Sequence, residues 1–274
     1  MVKRMSVAVL AAITLGLLVT PPGQAAGAAR YVAMGSSFAA GPGIAPQQPG
    51  TPAACGRSTK NYASLVAGER GFALTDVTCS GATTANILTA GQAGQPPQIE
   101  AVTRDTRLVT VTIGGNDVGY VGSLFTYGCQ NTAGANCGQV DRDAVRAALT
   151  TVHEKIGAVI AAVHQRAPRA RVLVVDYLTI VPRTAPACDG VPLTSEQLAF
   201  EREVADRLAA ATRRAARAER AALIPAAAVS ADHDACAAVP WMERYAAAPG
   251  RVPYHPNEAG MAAVADLITA RLRA

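Results

Sequence analysis

Aromatic residues make up only 4% of the 274-residue chain. Its basic residues are therefore not interleaved with stacking platforms, which argues against nucleic-acid binding. No Cys-x-x-Cys pair occurs, so neither a zinc site nor dithiol redox chemistry is supported, and no metal or cofactor is expected. Past the first twenty residues no apolar run is long enough to cross a bilayer, so no stable membrane anchor is expected in the mature protein. There is no internal repeat and no linker-like composition between two globular parts.

What is present begins with a leader. Lys3 and Arg4 precede an uncharged apolar stretch from Met5 to Thr20, which Pro21-Pro22-Gly23 breaks. Ala25-Ala26-Gly27-Ala28-Ala29 then offers small-residue cleavage sites. Residues 1–28 read as a secretory signal peptide, cleaved between about Ala25 and Arg30, and residues 29–274 as a single secreted domain. Six cysteines follow the leader, Cys55, Cys79, Cys129, Cys137, Cys188 and Cys236, an even number that fits an oxidising compartment. Many pairings are open. The simplest is sequential: Cys55–Cys79, Cys129–Cys137 and Cys188–Cys236.

The net charge of +5 includes Lys3 and Arg4; without those two side chains it is +3. Much of the positive charge sits at Arg213, Arg214, Arg217 and Arg220. These share an Ala-rich helical stretch with Glu201, Glu203, Asp206 and Glu219, which reads as a solvated helix face. Three β-like stretches stand out: the short Tyr31 to Met34, the β-branched-rich Leu108 to Ile113, and the continuous apolar run Val172 to Val175, of the kind that suits a strand buried on both faces. Thr75 to Thr78 and Ala221 to Ile224 are weaker candidates. Helices are expected over Asp143 to Arg166, from Thr194-Ser195-Glu196 to about Arg220, and from Glu258 to about Leu272 with Asn257 as cap. Alternating strands and helices indicate an α/β fold with a mostly parallel sheet.

In such sheets ligands bind at the carboxyl ends of the strands. Ser37, in Gly35-Ser36-Ser37-Phe38-Ala39-Ala40-Gly41, follows the first strand. Gly81 follows the second candidate, and Gly114-Gly115-Asn116-Asp117 follows the third. One rim thus collects a hydroxyl, a glycine N–H and a carboxamide, the parts of an acyl-transfer site. A serine needs a base. His153 and His164 fall within the long helix, and His233 lies in the acidic loop Asp232-His233-Asp234; each reads as structural or surface-facing. His255 lies in a loop between Pro253 and Pro256, just before the last helix, where it could reach the rim.

Together, in this order, Gly35-Ser36-Ser37, Gly81, Gly114-Gly115-Asn116-Asp117 and His255 resemble the motifs of the SGNH hydrolases (GDSL-type esterases and lipases). The likeness is strongest to the secreted, three-disulfide actinomycete members and covers essentially all of the mature chain. It implies a three-layer α/β/α sandwich, flavodoxin-like, and supports the sequential cysteine pairing. By the same resemblance Ser37 is the nucleophile, His255 the general base and then acid. The Ser37 and Gly81 N–H groups and the Asn116 side chain are the oxyanion donors. The chain departs from the family twice. Ser36 stands where the family has an Asp that supports the turn. Val252 stands where the family has the Asp that orients the histidine. A Ser–His dyad is therefore expected, with a main-chain carbonyl near Arg251 or Val252 as partner; Asp232 or Asp234 is the alternative. The expected activity is hydrolysis of small-molecule or lipid carboxylic esters by a secreted monomer. Glycan O-deacetylation, phospholipid hydrolysis and a non-catalytic binding role are the alternatives. Two expected loops, Gly119 to Thr126 and Trp241 to Tyr245, offer Tyr120, Val121, Leu124, Phe125, Trp241, Met242 and Tyr245 as acyl-pocket lining.

Overall fold

The computed structural model describes residue 2 and residues 27–274. The leader read over residues 1–28 lies outside the described residues apart from Val2, Gly27 and Ala28. Among the described residues no helix is long and apolar enough to cross a membrane.

Five strands build the sheet: β1 (Arg30–Gly35), β2 (Ala73–Asp76), β3 (Thr106–Thr112), β4 (Arg171–Val175) and β5 (Ala222–Ile224). They lie in the order β2-β1-β3-β4-β5, and every pairing is parallel. β1, β3 and β4 are buried along nearly their whole length, which is why β1 and β4 carry continuous apolar runs and even the threonines that alternate with valines in β3 are buried. The edge strand β2 is only partly buried and starts at Ala73 rather than Thr75. Its limits follow its pairing with β1, from Arg30↔Ala73 to Ala33↔Asp76, and not an apolar pattern.

Among the described residues eight α-helices surround the sheet: α1 (Ser37–Ala40), α2 (Tyr62–Arg70), α3 (Thr84–Leu88), α4 (Tyr120–Asn131), α5 (Arg142–Arg166), α6 (Ser195–Ala218), α7 (Ala226–Val229) and α8 (Glu258–Arg273). α2 packs on α8, and α5 on α6. With the strand order β2-β1-β3-β4-β5, the right-handed rule for parallel crossovers puts these two pairs on opposite faces of the sheet, the expected three-layer arrangement. The long helices start where side chains satisfy their first N–H groups. Asp141 accepts from Ala144 N at 2.9 Å, Asn257 accepts from Gly260 N at 3.0 Å, and Thr194 and Gln197 form a capping box. The buried side chains of both layers form one continuous cluster.

Two expectations are corrected. Gly119 to Thr126 is not a loop: all but Gly119 belongs to α4, whose Tyr120, Val121 and Leu124 are buried. Glu201 does not share the solvated face of α6. Arg213, Arg214, Arg217 and Arg220 are exposed, but Glu201 is fully buried among Ser123, Tyr120 and Tyr254. The Ser123 hydroxyl beside it donates to the Tyr120 carbonyl, and neither Glu201 oxygen has a partner among the described residues.

Burial therefore pushes the Glu201 carboxyl from its ordinary 4.5 up to about 8. Between those values the folded protein holds a proton that the unfolded chain has lost. Stability contributed by the neutral acid is full below about 4.5, falls as pH rises, and is gone above about 8. Relative to Glu201→Gln the cost should reach roughly 3–5 kcal/mol at full ionisation. Thermal melts from pH 5 to 9 check this. The melting-temperature gap between the variant and the parent should widen with pH, and a constant gap would sink the assignment.

Candidate active site

The order of strands reverses between β1 and β3, where the chain departs toward opposite edges. That is the position at which open parallel sheets leave a crevice at their carboxyl ends. Ser37 stands immediately beyond β1 as the first residue of α1, and Asn116 lies in the turn beyond β3. Gly81 follows β2, and His255 lies before α8. All four line one cavity of about 820 Å³, with Phe125, Val121 and Val252 among its other walls. Of the residues expected to form an acyl pocket, Val121 and Phe125 line this cavity. Tyr120, Leu124, Trp241, Met242 and Tyr245 do not. Trp241 instead stacks on His233, their rings 3.9 Å apart and nearly parallel. A second cavity of about 530 Å³, between the ends of β4 and β5 and helix α6, contains none of the four.

The nucleophile turn is held from several sides. Ser36 N donates to Thr112 O at 3.0 Å, and the Ser36 carbonyl accepts from Ala39 N and Ala40 N, closing α1. The Gln98 amide grips the end of β1, accepting from Gly35 N at 2.8 Å and donating to Gly35 O at 3.1 Å. Ser37 itself is 7% exposed, open only toward the cavity it lines.

The Gly81 turn leans on the disulfide Cys55–Cys79, one of three bridges that pair as expected; the others are Cys129–Cys137 and Cys188–Cys236. Ser80 N and Ser80 Oγ both donate to Cys55 O, and Gln92 Nε2 donates to Ser80 O at 2.7 Å. Gly81 has φ +81°, a backbone conformation that disfavours any residue with a Cβ.

The loop beyond β3 is clamped to the segment after Gly81. Asn116 Nδ2 donates to Ala82 O at 2.8 Å. The Asp117 carboxylate accepts from Thr84 N at 3.0 Å and from Thr84 Oγ1 at 2.6 Å. The amide of Asn116 thus commits one of its two N–H groups and keeps the other. Among the described residues no partner is found for Ser37 N or Gly81 N. Three donors around one cavity are left unspent.

His255 is 7% exposed, flanked by the rings of Phe38 and Phe125 at 5.5 and 6.3 Å. Its Nδ1 lies 2.8 Å from the Pro253 carbonyl. A carbonyl can only accept, so Nδ1 carries the proton and Nε2 is bare, the tautomer a base requires. The carbonyl is that of Pro253, the residue next to the expected Arg251 and Val252; Val252 O accepts from the backbone N–H of His255 itself at 3.3 Å. Asp234 is turned away, accepting from Cys236 N at 2.7 Å, and no carboxylate touches the His255 ring among the described residues. Burial holds the imidazole below its ordinary 6.5, against a smaller opposing pull from the Pro253 carbonyl. Arg251 steadies this loop through Glu243 at 3.0 Å and Gly43 O at 3.2 Å.

The sequence reading named Ser37, Gly81, Asn116 and His255, and the fold gathers all four. It expected a carbonyl partner beside Val252 without naming Pro253, and it did not name Gln98 or Tyr177, whose hydroxyl accepts from Gly115 N at 2.8 Å. None of these three has a sequence signature of its own.

An α/β/α sandwich with this rim has known counterparts. The model of the GDSL-like lipase/acylhydrolase family matches residues 33–263. The chain belongs to that family, and by membership it is a carboxylic ester hydrolase. It is 34% identical to Lipase 2 of Streptomyces coelicolor over 96% of this chain and 95% of that protein. It superposes on the extracellular lipase of Streptomyces rimosus with TM-score 0.73 at 28% identity, covering 89% of this chain and 99% of that one. It also superposes on phospholipase A1 of Streptomyces albidoflavus NA297, with TM-score 0.72 at 27% identity, covering 90% and 100%.

Proposed function

We propose that the protein is a secreted, monomeric serine esterase or lipase working through a Ser37–His255 dyad. The observation that carries this reading is the single cavity lined by Ser37, His255, Gly81 and Asn116. Ser37 Oγ attacks the ester carbonyl while its proton passes to His255 Nε2. The carbonyl oxygen becomes an oxyanion held by Ser37 N–H, Gly81 N–H and the spare N–H of Asn116. His255 then protonates the departing alcohol, leaving an acyl-serine. A water, activated by the same imidazole, releases the acid and restores Ser37. The Pro253 carbonyl keeps the ring oriented throughout and stabilises the imidazolium as a dipole rather than as a charge. No step in this scheme calls on a metal or cofactor.

Secretion rests on the leader read over residues 1–28 and the three disulfides, with residues 29–274 as the mature domain. A phospholipase reading is the second one, favoured by the structural likeness to phospholipase A1 and by a roomy cavity with apolar walls at Val121 and Phe125.

Hydrolysis of p-nitrophenyl esters from acetate to palmitate, beside release of fatty acid from a phosphatidylcholine emulsion, tests the proposal. We expect turnover of the esters, and the preferred chain length separates lipase from short-chain esterase. Folded protein inert on every one of these substrates would overturn the reading.

A further inference from the structure

The sequence raises a question that the reaction scheme leaves open: what supports the nucleophile turn where Ser36 replaces the expected acid. Ser36 is 1% exposed, and among the described residues its Oγ has one side-chain hydrogen-bonding contact, the Tyr177 hydroxyl at 3.5 Å. That hydroxyl accepts from Gly115 N at 2.8 Å, one residue before Asn116. The Tyr177 ring packs against Phe38, one residue after Ser37, with centroids 4.7 Å apart. Phe38 in turn flanks the His255 ring at 5.5 Å. One side chain, delivered by the residue two beyond the end of β4, therefore touches the nucleophile turn on both sides of Ser37 and the loop that carries Asn116.

We infer that Tyr177 is the positioning residue of this site, its hydroxyl fixing the Asn116 loop to the Ser37 turn and doing so in place of the missing acid at position 36. The assignment rests on Asn116 being an oxyanion donor, as proposed above. Three features support it. The phenol spends one lone pair on Gly115 N–H and still has a proton and a lone pair to share with Ser36 Oγ, 3.5 Å away, so a single oxygen stands between two catalytic segments. Burial pushes that phenol up to about 12, and it stays protonated across any working pH. Gly115 is glycine because of this contact: a Cβ there would lie 2.6 Å from the Tyr177 hydroxyl oxygen and 2.7 Å from the ring carbon bearing it.

Tyr177→Phe removes the oxygen and leaves the ring on Phe38. With p-nitrophenyl butyrate we expect kcat to fall about 10- to 100-fold, as an ångström-scale displacement of an oxyanion donor would cause, with KM nearly unchanged. The effect should be non-additive: in an Asn116→Ala background the same change should lower kcat by less than about threefold, because the donor being positioned is already gone. Retention of full kcat by Tyr177→Phe, or a loss that multiplies with that of Asn116→Ala, would overturn the inference. If Tyr177→Phe does not fold, Gly115→Ala asks the same question by forcing the two groups apart. Full kcat in that variant, or an additive loss with Asn116→Ala, would again refute it. An inactive parent enzyme would count against the proposed reaction, whereas an active parent indifferent to these changes counts against Tyr177 alone.

Discussion

Replacing Ser37 by Ala is expected to lower kcat/KM for p-nitrophenyl esters by at least about 10⁴-fold, with the melting temperature nearly unchanged. The side chain makes no hydrogen bond in the core and faces the cavity, so its loss removes chemistry and not packing. His255→Ala should be comparably damaging, because without Nε2 the hydroxyl proton has no acceptor. The two changes act on one step, so the double variant should be no worse than the poorer single one. A product of the two separate losses would contradict a dyad acting as a unit. The pH profile carries a further signature. Only neutral His255 can accept the proton, and burial holds its acid form below the ordinary 6.5. The acid limb of kcat/KM should therefore fall below pH 6.5, and full activity should persist into mildly acidic buffer.

The second large effect is expected at Asn116. Asn116→Ala should reduce kcat by about 10²–10³-fold while moving KM little, since the spare N–H meets charge that exists only in the transition state. The variant also strands the Ala82 carbonyl, which loses its 2.8 Å donor. A modest fall in melting temperature should accompany the kinetic loss, on the order of 1 kcal/mol of stability. Steady-state kinetics on one ester, read beside a thermal melt, separates the two. A KM rise equal to the loss in kcat/KM would mean that Asn116 binds ground-state substrate and is not an oxyanion donor.

Much of this site could be read without coordinates because its parts are side chains or glycines at strand ends. Ser37, Gly81, Asn116 and His255 each follow or precede a recognisable segment, and the apolar runs of β1 and β4 and the β-branched run of β3 betray strands buried on both faces. What escaped the sequence lacks a side-chain signature. Any residue carries a carbonyl, so the choice of Pro253 over Arg251 or Val252 depends on the loop's own hydrogen bonds. The loop also turns through Tyr254 at φ +57°, which no local pattern announced. Helix α4 is not announced by its sequence: Gly119 precedes it as N-cap and Gly122 lies inside it, and burial of the helix against α6 outweighs the poor propensity of Gly122. Glu201 was read with the charged face of α6, yet tertiary packing turns this one carboxyl inward. Tyr177 has no sequence signature of its own, and its meaning depends on Gly115 and Ser36, respectively 62 and 141 residues earlier.

The most direct test of the central claim is covalent. The purified mature protein would be treated with a p-nitrophenyl alkylphosphonate, in which attack by a serine oxygen on phosphorus expels p-nitrophenolate. The adduct would then be mapped by peptide mass spectrometry. The account predicts one phosphonyl group per chain, on Ser37, formed far more slowly in His255→Ala and absent in Ser37→Ala. An adduct on any other residue, or none on folded protein that hydrolyses esters, would contradict it.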